Sequence, residues 1–417
     1  MCTLNVIALL EDGGPPIVLS RISLFQGGLS RLRALAISPI ADWLPANPLP
    51  VLTHLFLSFH RINDLRMPDI LSFIAGSPDL EMLHLSQFTL LPEEQPNEHI
   101  PLPHLKHILF SNKSLLPSAL ALLRRLVIPP SARTYLGCSN VHSQTDGSIL
   151  PVLPSTSGAD HLTIVTEDTS LQLIASGRAT NSSFWLSAHE SADSHGDVFA
   201  TWLTRLPAMF PLARLTSLQL RLDVDHPGPT VSRILRSTPR LTTLEIIFSL
   251  FFGGDPESSA AENSLAHVCH ALCLNATNTH TDPPPEPQLC PVLHTVTIAL
   301  ESNSSTPLSD YTRWLVLIRT MVHARARMGR PLRRLAVQPM HNAVRIGARQ
   351  DVVDAVHEAY ASLAAAPGIE QFVLHQSSEE PIAFAEQPGV WDWGEVERYW
   401  TVKEEDRPRF HYPWEYF

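Results

Sequence analysis

Cysteine is scarce in this chain: five in 417 residues, an odd number without framework spacing. That excludes a disulfide scaffold and suits a reducing compartment. Cations are also in short supply, with 30 Lys plus Arg against 41 Asp plus Glu and a net charge of -11. Binding to a nucleic-acid backbone needs clustered cations, so no nucleic acid is expected. No apolar run approaches the ~20 residues that a membrane-spanning helix requires, so no membrane partner is expected. The opening MCTLNVIALLEDGG has no basic start and meets Glu11-Asp12 early, so it does not read as a signal peptide. The expected location is cytoplasmic or nuclear. Also missing are a Gly-rich phosphate loop, a Gly-x-Ser-x-Gly elbow and a His-Glu-x-x-His helix, and the carboxylates show no paired arrangement. Neither an enzyme nor a cofactor is expected.

What the chain does have is a globular balance, 44% hydrophobic and 17% charged, and 36 prolines. Turns should be frequent and stiff. One stretch, ILSFIAGSPDLEMLHLSQFTL, organises the rest. Ile70, Phe73 and Ile74 have the spacing of one apolar helix face. Ser77-Pro78 stops that helix, because the residue before a proline is pushed out of the helical region. Leu80-x-x-Leu83-x-Leu85-x-x-Phe88-x-Leu90 then follows the leucine-rich-repeat pattern, with Phe where Asn or Cys is usual. The unit recurs at VSRILRSTPRLTTLEI. There Val231, Ile234, Leu235, Pro239, Leu241, Leu244 and Ile246 align at one offset with Ile70, Phe73, Ile74, Pro78, Leu80, Leu83 and Leu85.

Taken in order, Leu-x-x-Leu-x-Leu units centre on 35, 55, 83, 108 and 126, then 218 and 244, then 296, 335 and 372. Pro50, Pro78 and Pro103 stand two residues before the first apolar position, and Pro291 does the same later. A first strand is expected over Leu4 to Leu10, and helices over 198–209 (ended by Pro207), 258–274, 311–328 and 351–365. The expected fold is α/β: one irregular leucine-rich-repeat solenoid over 1–390, a curved parallel sheet with helices on its convex side. Residues 131–200 read as irregular repeats with long loops, with Leu162-Thr163-Ile164 and Phe184-Trp185-Leu186 as candidate degenerate strands. Residues 391–417, rich in Trp, Tyr, Phe and acid, read as a cap on the last repeat.

Strand side chains alternate, so the residue between the last two apolar positions of each unit points to the concave face. That row is Ala36, Phe56, His84, Leu109, Val127, Gln219, Glu245, Thr297, Ala336 and Val373. It holds no cation and is apolar in its first half, which suits a protein or peptide ligand. The alternative is that loops or the tail fill the concavity. His267, Cys269, His270 and Cys273, with Cys290, come nearest to a metal constellation. The two pairs fall on different helix faces, however, and small buried cysteines on a packed helix explain them as well, so no metal is expected.

The series of Pro-x-Leu-x-x-Leu-x-Leu units, the Leu24-Phe25-Gln26-Gly27-Gly28 run before Leu29, and the acidic, aromatic C-terminus resemble the repeat region of mushroom-type fungal F-box proteins. The resemblance covers most of the chain and is one of pattern. In that family an N-terminal F-box binds the adaptor of a cullin-RING ubiquitin ligase, and the repeats are thought to hold the substrate. Nothing before Leu29 fits the Leu-Pro-x-Glu-type opening of an F-box, so the adaptor is implied only if an F-box is supplied elsewhere. The resemblance therefore implies a non-catalytic module that recognises a substrate protein. A structural or regulatory scaffold without a ligase link is the other reading.

Overall fold

The computed structural model describes residues 3–6, 20–22, 31–40, 43–59, 66–89, 99–114, 116–141, 154–167, 170–177, 179–190, 197–223, 228–250, 260–273, 290–302, 308–338, 350–375 and 393–402. The elements begin with β1 (Thr3–Val6), β2 (Ser20–Ile22), β3 (Ala34–Ile40), β4 (Trp43–Pro45), β5 (His54–Phe59) and α1 (Met67–Ala75). Next come β6 (Met82–Ser86), β7 (Ile100–Pro101), β8 (His107–Ser114), α2 (Leu116–Leu123), β9 (Leu126–Val127), β10 (Arg133–Val141) and α3 (Pro154–Ser157). The middle holds β11 (His161–Glu167), β12 (Ser170–Gly177), β13 (Ser182–Glu190), α4 (Asp197–Met209), β14 (Ser217–Asp223) and α5 (Gly228–Arg236). The rest are β15 (Thr243–Leu250), α6 (Ala260–Cys273), β16 (Thr295–Ser302), α7 (Leu308–Arg327), β17 (Leu332–Gln338), α8 (Gln350–Ala364), β18 (Ile369–Leu374) and α9 (Trp393–Val396).

The fold is α/β with mostly parallel strands, in two compact units. The first comprises Met1–Ala159, Thr169–Val198 and Gln387–Phe417. Its strands run β1-β3-β5-β6-β8-β10-β13-β12, parallel up to β13, with β12 antiparallel to β13. Two short ribbons, β2–β4 and β7–β9, lie outside that run. The second unit comprises Asp160–Asp168 and Phe199–Glu386, and its strands run β11-β14-β15-β16-β17-β18, all parallel.

The prolines build the entry to each strand. In Leu49-Pro50-Val51-Leu52, Ser77-Pro78-Asp79-Leu80 and Leu102-Pro103-His104-Leu105 the fourth N–H donates to the first carbonyl at 3.0, 3.3 and 3.2 Å. Thr238-Pro239-Arg240-Leu241 and Cys290-Pro291-Val292-Leu293 do the same at 3.2 Å. Proline sits at the second position of a four-residue turn, where its fixed φ is already correct. Each turn then delivers a buried Leu to the start of a strand. A threonine after that Leu recurs as well. The hydroxyls of Thr53, Thr216 and Thr242 donate to the carbonyls of Arg33, Asp160 and Thr216 at 3.0, 3.1 and 2.9 Å. The same carbonyls accept the threonines' own backbone N–H groups. Neighbouring units are thereby pinned together just ahead of the sheet.

The aligned apolar positions pair laterally. Leu35, Leu55, Leu83 and Ile108 form one register row in the first unit, and Leu218, Leu244, Val296 and Leu335 form one in the second. All of these are fully buried. They line one face of the strands in each unit, here called the back face, and α1 (Ile70, Phe73, Ile74) and α5 (Val231, Ile234, Leu235) likewise bury the apolar sides read from the sequence. Just beyond β6, Phe88 lies between Phe59 and Phe110, with ring centroids 5.6 and 5.8 Å away. The helix stops fall where expected: α7 ends before Gly329 and α8 before Gly368, glycines at φ of 73° and 102°.

Four expectations change. Residues 131–190 carry four strands, β10 to β13; β11 and β13 fall on the degenerate strands read at 162–164 and 184–186, while β10 and β12 stand where loops were expected. Neither β10 (RTYLGCSNV) nor β12 (SLQLIASG) carries a Leu-x-x-Leu-x-Leu series, so a search for that spacing passes over them. Leu126 and Val127 form a ribbon strand with Ile100–Pro101 rather than a strand of the main run, and Val127 is 53% exposed. Helix α4 continues through Pro207 to Met209, so the proline sits in its last turn and does not end it. Finally, the tail belongs to the first unit, whereas a cap on the last repeat would sit on β18 in the second. Of the first strand, only Thr3–Val6 lies within the described residues; the Leu24–Gly28 run, Leu90 and the tail beyond Val402 fall outside them.

Candidate functional site

The alternate positions form the front face of each sheet. In the first unit one register row reads Ala36, Phe56, His84, Leu109, Tyr135, Trp185 and Ile174. The sequence row therefore lands in register through Leu109. The next strand supplies Tyr135 in place of Val127, followed by Trp185 and Ile174. None of the three belongs to a complete Leu-x-x-Leu-x-Leu unit, and only Trp185 falls in a run that the sequence marks as a degenerate strand, Phe184-Trp185-Leu186.

This part of the front face is occupied. Trp393, Val396, Trp400 and Val402 pack with Met82, Leu109, Tyr135, Ile174 and Trp185 in one apolar cluster, with Val396 completely buried. The Trp400 ring lies 5.9 Å from Phe56 and 6.2 Å from His54, and Tyr399 meets His54 edge-on at 4.6 Å. Charge reinforces the apolar fit. Lys106 Nζ donates to Glu395 Oε1 at 2.7 Å and to Glu81 Oε2 at 2.8 Å, and these two hydrogen bonds, Glu395 first, raise its pKa. The tail segment folds on itself, with Val402 N donating to Glu397 Oε1 at 2.9 Å and Arg398 stacking over Tyr399. The alternative occupant weighed from the sequence, the tail itself, thus covers Phe56, His84 and Leu109.

Burial leaves the histidines of this face uncharged. His84 shares a hydrogen bond of 2.7 Å with the Ser111 hydroxyl and stacks against Phe56 at 4.7 Å. Burial pushes it down to about 3. His54 is also lowered by burial, partly offset by Glu81 and by a hydrogen bond to the Glu395 backbone. The sign follows directly. A histidine that is depressed in the folded state adds stability above its ordinary value of 6.5, and that stability drains away as pH falls toward the folded value. From pH 7.5 to 5, His84 alone should remove about 2 kcal/mol. Denaturant midpoints across that range will record it, and His84→Leu should flatten the slope. A pH-independent midpoint would contradict the buried, neutral imidazole.

In the second unit the row reads Thr163, Gln219, Glu245, Thr297, Ala336 and Val373. All five second-unit residues expected on this face (Gln219, Glu245, Thr297, Ala336 and Val373) fall in this one register row. Its first three members form a polar chain in which Thr163 Oγ1 donates to Gln219 Oε1 at 2.9 Å. Gln219 Nε2 in turn donates to Glu245 Oε2 at 2.6 Å. Glu245 and Val373 are half-buried. One position further along, Ile247 and Ala299 make a small apolar pair.

The cysteines serve packing. Cys290 opens a strand-entry turn, with its thiol donating to the Leu235 carbonyl at 3.4 Å and burial pushing it up to about 11. Burial likewise raises Cys273 to about 11 and Cys269 further. Such thiols are poor nucleophiles and poor ligands. Among the described residues no group of three or more His, Cys, Asp or Glu could hold a metal, and no helix is long and apolar enough to cross a membrane. The chain matches no protein-family model and no curated protein sequence.

Proposed function

We propose that the chain is a non-catalytic protein-binding module built on irregular leucine-rich repeats, with a protein or peptide ligand held on the front face. The observation that carries this reading is the second unit's row. Half-buried Glu245 is fixed at 2.6 Å by buried Gln219 of the neighbouring strand and shares its register row with Thr297, Ala336 and half-buried Val373 on a parallel sheet. Polar groups held so firmly are prepared to meet a partner's backbone or side chains with little ordering cost. The resemblance to fungal F-box proteins supports a substrate-recognition role in a ubiquitin ligase receptor, with the ligase adaptor recruited only through an F-box supplied elsewhere. Cytoplasm or nucleus is the corresponding location.

The test is affinity capture from fungal lysate with the full chain and with Glu245→Lys, followed by binding of the purified candidate. A protein retained by the wild-type chain and lost with Glu245→Lys supports docking on this row. Equal retention by both chains removes it. Co-purification of the ligase adaptor separates a receptor from a scaffold with no ligase link.

A further inference from the structure

The first unit's front face deepens the proposed binding function and rests on it. Its occupant is the chain's own segment 393–402, and that segment is held in an unusual way. Within 393–402 there is no strand, so no backbone ladder joins it to the sheet. Backbone–backbone bonds such as Glu397 N to Trp393 O at 2.6 Å are internal to it. Its grip on the sheet runs through side chains: a buried Val396, a stack of rings, Glu395 on a half-exposed Lys106, and the His54 ring on the Glu395 backbone. Side-chain contacts of this kind can be exchanged without breaking either sheet.

The fit is also incomplete. Three buried polar atoms on or under this face have no hydrogen-bond partner among the described residues: His84 Nδ1, Gln172 Oε1 and Trp400 Nε1. Gln172 lies two residues from Ile174 on the same side of β12. Each unpaired buried group has given up its bonds to water without a replacement. A core segment would be selected to pair them. A ligand able to pair them would bind better than the tail does.

We propose that this face is a recognition site for acidic–aromatic peptide segments, and that Trp393–Val402 is its built-in competitor. The tail supplies the template for the partner. A carboxylate (Glu395) meets Lys106, an aliphatic residue directly after it (Val396) fills the apolar cluster, and an aromatic pair (Tyr399-Trp400) lies over His54 and Phe56. A partner protein carrying that pattern displaces the tail.

The test uses the full chain and a labelled synthetic peptide with the sequence of residues 391–404, read by fluorescence anisotropy. In the wild-type chain the tethered tail competes at high effective concentration. Val396→Asp in the full chain places a carboxylate at the buried position and frees the face, so peptide affinity should rise roughly 100-fold over wild type. Lys106→Glu added to Val396→Asp should abolish that gain, and a peptide carrying Lys at the position of Glu395 should restore it. If Val396→Asp stays folded and binds no better than wild type, the proposal fails. If Val396→Asp does not fold, a protease site placed after Ser377 in the otherwise wild-type chain decides. Release of the cleaved tail under native conditions, with the remainder still folded, supports a displaceable ligand; release only on unfolding makes the tail core and overturns the proposal. No partner protein enters this experiment, so its failure leaves the second unit's row to its own capture test, and the reverse also holds.

Discussion

Leu83→Asp and Leu244→Asp each lose the cooperative unfolding transition of their unit or shift it by a large fraction of the total stability. Leu83 lies between Leu55 and Ile108 in the back-face row, and Leu244 lies between Leu218 and Val296. All six are completely buried. A carboxylate placed there has no partner and no water, and the penalty is on the order of 5 kcal/mol, against a usual domain stability of about 5–15 kcal/mol. Circular dichroism followed through a guanidinium titration measures it. Val127→Asp serves as the contrast. Val127 is half-exposed on a separate ribbon, so its midpoint should stay within about 0.5 kcal/mol of wild type. If Leu83→Asp and Leu244→Asp both melt like wild type, the lateral register described above is wrong.

The next largest effect belongs to Phe88→Ala. Phe88 is the middle ring of the Phe59–Phe88–Phe110 stack, and all three rings are essentially inaccessible to water. Truncation forfeits two ring contacts and leaves a cavity that flanking rings cannot fill without leaving their rotamers. The expected loss is about 3–5 kcal/mol, and Phe88→Leu should recover part of it. A loss below about 1 kcal/mol would mean that the site collapses freely and that the stack is not a structural spine.

The first prediction rests on features legible in the sequence, whereas the Phe59–Phe88–Phe110 stack is known only from the structure. The Pro-x-Leu spacing placed the strand-entry turns, and the spacing of the leucines gave the back-face rows of β5, β6 and β8 and of β14 to β17. The front-face row followed by alternation and was right wherever the strand itself was right. It failed at Val127, because a Leu-x-x-Leu-x-Ile series after Leu123 imitates a unit while Leu123 is still helical. It missed Tyr135 because Thr134 stands where a leucine was sought, and Trp185 because Asn181 leaves the Phe184-Trp185-Leu186 run without the leading apolar residue of a unit. The destination of the tail was not readable at all. Its aromatics announce burial, but nothing local to 393–402 says which surface receives them; that depends on the ring of Phe56, the edge of His54 and the charge of Lys106, more than 280 residues upstream.

The position of that tail bears on how the protein is made. Synthesis runs from the N-terminus, and the apolar face of Met82, Leu109, Tyr135 and Trp185 emerges more than two hundred residues before Val396 and Trp400. At common elongation rates the face stays bare for roughly 10–45 s. For that interval the nascent chain presents to the cell the same surface that the finished protein covers. On the recognition proposed above, a segment with a carboxylate followed by an aliphatic residue and an aromatic pair would meet that surface before residues 393–402 have been made.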